Sequence, residues 1–332
     1  MKKLIALLAI VLVLTGCGSA NNGTTTPDEG TNNETPTVYK AGVGSFTTVS
    51  SKDVVDGAGS AEVVTTYAAV VVDENGIIKY VSFDTAQNTA KIDGEGKIAL
   101  ETAQTKKEKG DAYGMGAYAA NGEWYKQIAH LESTLIGMNI SDAVTMELDE
   151  AGKATNTDVL SGCTVHVNEF ILALDAANRS LTDVEGAVKV AAGSYTETTA
   201  KDVVDGAGSA EVVTTFGMAV LDAEDKIVFA EFDTAQNKAS VDGEGKVALE
   251  AAPTKKEKGE AYGMGKFAAN GEWDKQIAHL ESTLVGKTIA DFTGAQLDDS
   301  GKSTDADVLS GCTVHVSEFV GVLNSAVVSD IK

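Results

Sequence analysis

Cysteine is scarce in this chain: three in 332 residues. That count excludes a disulfide-stapled scaffold. Cys163 and Cys312 hold equivalent places in a sequence repeat, so two free, buried thiols are expected. Histidine is as sparse, with His130, His166, His279 and His315 only. None sits with cysteine or carboxylate at metal-ligand spacing, so no metal site is expected. The acidic pairs Asp73-Glu74 and Asp149-Glu150 lack the spacing of a calcium loop. No Ser-His-Asp order and no nucleotide P-loop is present, so no catalytic group is assigned. The glycine cluster Asp56-Gly57-Ala58-Gly59-Ser60 reads as a turn. Positive charge is short too: 26 Lys and Arg stand against 49 Asp and Glu, for a formal net charge of −23. Such a surface repels nucleic acid and anionic lipid headgroups.

Long apolar runs are also missing, apart from Leu4 to Leu14 behind Met1-Lys2-Lys3. That run is too short to span a bilayer and reads as the apolar core of a leader. It ends Leu14-Thr15-Gly16-Cys17, the pattern of a bacterial lipobox, which makes Cys17 the expected lipidated N-terminus of the mature protein. Residues 1–17 are therefore read as a lipoprotein signal peptide. Residues 18–41, rich in Asn, Thr, Gly, Pro and acid, are read as a flexible tether. A chain of that length spans about 25 Å. The folded part is expected outside the cell, on the outer face of the cytoplasmic membrane and held there by lipid.

What is abundant is repetition. Lys52–Thr66 and Lys201–Thr215 are identical, and the same offset of 149 residues aligns Trp124 with Trp273, His130 with His279 and Thr164 with Thr313. A period this long means duplicated domains rather than a solenoid. The units are placed at 42–176 and 191–325, each long enough to bury a core, with 177–190 as linker. Within one unit, Glu62–Val72 and Ile77–Phe83 flank Asp73-Glu74-Asn75-Gly76, which predicts a β-hairpin. Trp124, Ile128, Leu131 and Leu135 recur at helical spacing, with Asn121 as expected N-cap and Gly137 as the stop. Val167, Phe170, Ile171 and Leu174 mark a second helix. Strands and helices are segregated, so the expected class is α+β, each domain a mainly antiparallel sheet packed with helices.

Two strings stand out within the repeat. The first is Asp158-Val159-Leu160-Ser161-Gly162-Cys163-Thr164, present again as Asp307 to Thr313 with Ser310 and Gly311. It places a threonine hydroxyl beside a Ser-Gly turn, just before an amphipathic helix whose free N–H groups suit an anion. Glycine keeps the backbone open there. Two readings of the string alone stay open: an attachment site for a phosphate-bearing group, or a plain helix N-terminus capped by Ser161. The second string is Thr105-Lys106-Lys107-Glu108-Lys109-Gly110-Asp111-Ala112-Tyr113-Gly114-Met115-Gly116, nearly unchanged from Thr254 to Gly265. It is a cationic cluster in an acidic protein, followed by an aromatic ring and a thioether. In one reading Lys107 and Lys256 balance a phosphate or an anionic ring, and Tyr113, Met115, Tyr262 and Met264 pack on a flat π surface; in the other the string is a solvated basic loop with two small core residues. His130, beside Leu131, is read as structural; His166, two residues past Thr164, is placed to bond near the phosphate.

The first string resembles the Asp, two residues, Ser-Gly-Ala-Thr motif on which a flavin transferase links FMN to threonine through its phosphate. Taken with the lipobox, the tandem units and the lysine-tyrosine run, the chain resembles the FMN-binding extracellular electron-transfer lipoproteins of Gram-positive bacteria. The resemblance covers both repeats. It implies two FMN groups in phosphodiester linkage to Thr164 and Thr313, with Asp158, Ser161, Gly162, Asp307, Ser310 and Gly311 forming the motif around them. Cysteine replaces the usual alanine at 163 and 312, which puts a thiol beside each flavin. The family implies a flavin transferase for maturation, electrons from a membrane NADH dehydrogenase and quinone, and delivery to ferric iron, soluble flavin or another extracellular acceptor. It implies an electron-transfer flavoprotein rather than a stand-alone enzyme, with a ferric or flavin reductase role open. The rival reading is a surface lipoprotein that binds a solute or polymer without flavin; lipobox, tether and duplicated domains fit it equally well.

Overall fold

The computed structural model describes residues 38–332. The leader and Cys17 lie outside the described residues, as does the tether up to residue 37. Residues 38–41, expected in the tether, already form the first strand, and Ala41 is fully buried.

The first repeat runs β1 (Val38–Val55), β2 (Ala58–Asp73), β3 (Ile78–Asp93) and β4 (Ile98–Ala99), then α1 (Lys106–Lys109), α2 (Trp124–Leu135), α3 (Ile140–Val144), α4 (Thr157–Leu160), α5 (Asn168–Ser180) and β5 (Thr182–Glu185). The second repeats that order: β6 (Lys189–Val204), β7 (Ala207–Leu221), β8 (Ile227–Asp242), β9 (Val247–Ala248), α6 (Lys255–Lys258), α7 (Trp273–Leu284), α8 (Ile289–Thr293), α9 (Ala306–Leu309), α10 (Ser317–Ser325) and β10 (Val327–Asp330). The class is α+β: two antiparallel five-stranded sheets, ordered β4-β3-β2-β1-β5 and β10-β6-β7-β8-β9, each packed with helices.

Local chemistry accounts for the turns. Asp56 and Gly57, at φ 52° and 84°, form the two-residue turn between β1 and β2. The predicted hairpin at Asp73–Gly76 is present, closed by Asp73 Oδ1, which accepts from the N–H groups of Asn75 and Ile77. Its strands run well past the predicted ends. The α2 start differs from expectation. Gly122 has φ 79°, outside the helical region, so Asn121 belongs to the preceding turn and Glu123 takes the cap position. Gly137, at φ 88°, follows the end of α2 as expected.

Each sheet is apolar on both faces at its centre, which explains the unbroken run Ala68 to Val72. Ala68, Val70 and Val72 face outward under α2 and α5, together with Phe83. Tyr67, Ala69 and Val71 face inward and meet Phe216, Met218 and Val220 of the second sheet. The layers are therefore helices, sheet, sheet, helices. On the outer side, α5 lies directly on the backbone of β1. A Cβ at Gly44 would overlap the backbone of Ala176 and Ala177.

The two repeats are built into one another. Tyr67 stacks on Phe216, its own counterpart, at 5.9 Å and 14° between ring planes. Val54 N–H donates to Gly245 O, and reciprocally Val203 N–H donates to Gly96 O, both at 2.8 Å. Asp202 accepts from Ile98 N–H at 2.7 Å, and Asp53 from Val247 N–H at 2.8 Å. The stretch 177–190, expected as linker, closes α5 and supplies β5, which pairs with β1 and buries Val184. One asymmetric clasp joins the halves: Glu231 Oε2 accepts from Val43 N–H at 2.9 Å and from Ser180 Oγ at 3.3 Å.

Burial pushes the Glu231 carboxyl up to about 7 from 4.5, against the pull of Lys256 and the Val43 N–H. A carboxyl raised in the folded state stabilises fully at low pH, and that contribution is lost as pH rises through the folded value. Glu231→Gln should therefore gain on the wild type as pH rises from 4.5 to 8, by roughly 3 kcal/mol in all. Urea unfolding across that range checks it; a difference that does not change with pH contradicts it.

Candidate functional site

Thr164 sits on the link between α4 and α5, and several contacts fix that link from behind. Asn156 caps α4 by accepting from Asp158 N–H at 2.8 Å. Ser161 is the last residue of that turn and donates to Asp158 O at 2.7 Å. His130 Nε2 bonds the same carbonyl at 2.8 Å. A Cβ at Gly162 would overlap the His130 ring, so glycine is what lets the link close on α2. Cys163 then points into the core, nearly fully buried, and Thr164 turns outward to solvent. Cys312 and Thr313 repeat the arrangement.

One side chain sets the threonine. Gln127 of α2 is fully buried, and its Nε2 donates to Gly122 O at 3.0 Å, which fixes the amide. Its Oε1 then accepts from Thr164 N–H at 2.9 Å and from Thr164 Oγ1 at 3.2 Å. Gln276 treats Thr313 identically, at 2.9 and 3.2 Å. The hydroxyl proton is engaged, so an oxygen lone pair is free to face outward.

In front of Thr164 is a cavity of about 350 Å³ walled by Tyr113, Met115, Trp124 and Phe170, with Lys106 and Lys153 among its polar residues. The counterpart at Thr313, about 660 Å³, has Tyr262, Met264 and Trp273 with Lys255 and Lys302. Phe267 stands at its edge, 91% exposed. Lys106 Nζ lies 5.6 Å from the Tyr113 ring centre and 5.5 Å from that of Trp124; Lys255 lies 5.6 and 5.2 Å from Tyr262 and Trp273. These are cation–π distances. Burial lowers the pKa of both lysines, and nearby acids, Glu169 for Lys106 and Glu318 for Lys255, pull it back up. Burial also raises the Tyr113 and Tyr262 hydroxyls. The arrangement suits a planar π-system with an anionic tail, placed beside an exposed hydroxyl.

The structure sorts the expected residues into three groups. Thr164, Tyr113 and Met115 share one cavity, as do Thr313, Tyr262 and Met264. Asp158, Ser161, Gly162, Asp307, Ser310 and Gly311 do not line the cavities; they shape the link behind the threonine. Lys107 and Lys256 are not at the site. Lys107 Nζ is 2.6 Å from Glu132 and 3.1 Å from Ser82 Oγ, and Lys256 Nζ is 2.8 Å from Glu281. Successive helical residues point about 100° apart, so only one lysine of the pair faces the cavity, and it is Lys106 or Lys255. A further correction concerns the helix start. α5 begins at Asn168, four residues past Thr164, and Ser161 ends α4 instead of capping α5. His166 lines the cavity, and His130 is structural, as read from sequence. Among the described residues, no group of three His, Cys, Asp or Glu is placed to hold a metal.

Gln127 is a site residue that sequence patterns did not single out, as are Trp124 and Lys153; the Gln127 case is the most informative. Its signal was a polar residue on the apolar stripe of α2, three positions after Trp124 and one before Ile128. Gln127→Leu leaves the Thr164 N–H without its acceptor, and loss of such a part-buried hydrogen bond costs about 0.5–1.5 kcal/mol. Urea unfolding should show that loss, and faster exchange of the Thr164 amide should accompany it; unchanged exchange would contradict the role given to Gln127. Compared with known proteins, the chain matches no family model, no curated protein and no solved structure.

Proposed function

We propose that this chain is an electron carrier holding one FMN per repeat, joined through its phosphate to Thr164 and Thr313. The observation that carries the reading is the same in both repeats: an outward-facing threonine hydroxyl, set by a buried glutamine, at a cavity walled by aromatic rings and a lysine. The residues fit the group. Both cavities fall in the range of about 300–1,000 Å³ usual for cofactor sites. Tyr113 and Trp124, with Met115, offer a π and sulfur surface to an isoalloxazine. Lys106 and Lys153 offset the phosphodiester or the reduced ring. Thr164 is exposed, as a transferase requires.

FMN supplies the redox chemistry when bound; the chain holds, orients and screens it. Gln127 Oε1 accepts from the Thr164 hydroxyl before attachment, and its bond from the Thr164 N–H would hold the threonine once that proton is lost to the ester. Lys106 places positive charge against the aromatic wall, in a partly desolvated spot where charge acts strongly. Cys163 is turned into the core behind Thr164, and burial raises its pKa, which keeps it a protonated thiol. That arrangement limits side chemistry between thiol and flavin.

Because helices α2 and α5 cover one outer face of the sandwich and α7 and α10 the other, the two cavities open on opposite sides. The two flavins thus act as separate ports, not as neighbours in a close relay. The lipid anchor at Cys17, electron supply by a membrane dehydrogenase and quinone, and extracellular acceptors such as ferric iron complete the reading. They rest on the sequence resemblance.

Intact mass of the mature protein, coexpressed with a flavin transferase in an exporting host, tests the proposal. The expected gain is two FMN less two waters, falling to one in Thr164→Val or Thr313→Val and to none in the double variant. No gain in a host that flavinylates a control protein would overturn it and favour the flavin-free binding lipoprotein.

A further inference from the structure

A second kind of cavity lies between the repeats, away from the threonine sites. It measures about 370 Å³ and includes Tyr67, Tyr80, Ser82, Lys107 and Ser194 in its wall. Duplication provides an internal control for it. At the 149-residue offset, Lys107 and Glu132 become Lys256 and Glu281, and both pairs are bonded alike. Asp84 and Asp233 are also alike, each accepting from the backbone N–H of its lysine at 3.0 Å.

Three other positions differ together. Ser82 becomes Glu231, Tyr67 becomes Phe216 and Tyr80 becomes Phe229. In the second repeat, Glu231 delivers a carboxylate to Val43 N–H, Ser180 Oγ and, at 3.6 Å, Lys256. The cavity left there is only about 240 Å³. In the first repeat the carboxylate is missing, and the two phenyl rings are exchanged for phenols. One half has an acceptor built in. The other has donors gathered around the space where that acceptor would lie.

These donors are not consumed by the protein. Ser194 is 6% exposed and its Oγ has no hydrogen-bond partner. The Tyr67 hydroxyl is its neighbour. The Tyr80 hydroxyl lies beside Ser82. Burial holds both phenols above their ordinary range, so they remain protonated donors. The three acids in the wall are already engaged: Glu132 accepts from Phe83 N–H and Lys107, Glu108 from Thr105 N–H, and Asp84 from the N–H groups of Thr85 and Lys107. A buried donor without an acceptor is costly, so a ligand that brings one gains from every hydroxyl it reaches.

We propose that the cavity at Ser82 binds a small carboxylate, whose carboxyl group takes the place that Glu231 fills in the second repeat. Lys107 offers the charge, as Lys256 does to Glu231. Ser82, Ser194, Tyr67 and Tyr80 offer the hydroxyl donors. The site stands independently of the flavin reading, since neither threonine cavity shares these residues.

Acetate is the probe, on the full mature chain, with sodium chloride at equal ionic strength as control. A ligand bound only to the folded state raises Tm in a saturable way. The expected result is such a rise in the wild type, confirmed by isothermal titration. Ser82→Glu fills that place with its own carboxyl group, so it should lose the acetate response. Tyr67→Phe with Tyr80→Phe should weaken acetate binding at least tenfold, and carries the test if Ser82→Glu fails to fold. An acetate effect no larger than that of chloride, or one that survives in Ser82→Glu or in the tyrosine pair variant, overturns the proposal.

Discussion

Each five-stranded sheet has two apolar faces to cover, and only one of them can go to its own helices. The inner face of the first sheet, with Tyr67, Ala69 and Val71, finds its cover in the inner face of the second. That back-to-back packing governs the rest of the architecture. It puts Tyr67 against Phe216, locks the strand ends through reciprocal backbone bonds, and sends all the large helices outward. The threonine links ride on those helices, so the two candidate sites open on opposite sides.

The two similar halves share a framework without sharing every use of it. The outward cavities have kept their threonine, glutamine, lysine and aromatic wall in both halves, and differ chiefly in size. The cavities at the junction have diverged instead. Glu231 fills one with its own carboxylate, while Ser82 leaves the other open. Packing against a partner repeat constrains backbone and volume, and it still leaves room for polar groups at the seam to differ, as at Ser82 and Glu231.

Much of this could be read from sequence, for identifiable reasons. The hairpin at Asp73–Gly76 follows from turn chemistry, and α2 and α5 follow from their apolar periodicity, because both are local rules. The threonine, tyrosine and methionine of each cavity were legible because they form compact strings. What was not legible depends on contacts distant in sequence. The acidic stretch 177–190 reads as linker until β1 offers an edge for β5 to pair with. Lys106 and Lys107 cannot be told apart without the phase of a four-residue helix. Asn121 has the chemistry of a cap, but Gly122 turns the chain before the helix can start. Gln127 shows in the sequence only as a polar residue on an apolar stripe, because its partner, Thr164, is 37 residues away.

The most direct test of the account is the distance between the two flavins proposed at Thr164 and Thr313. Pulsed dipolar spectroscopy on protein carrying both groups in the one-electron-reduced state provides it. Two sheets stacked about 10 Å apart, each with a helix layer a further 10 Å out, predict a single intramolecular distance of roughly 30 Å. A distance of roughly 10 Å, one layer only, would contradict outward-facing sites at Thr164 and Thr313, and with them the description of two separate ports.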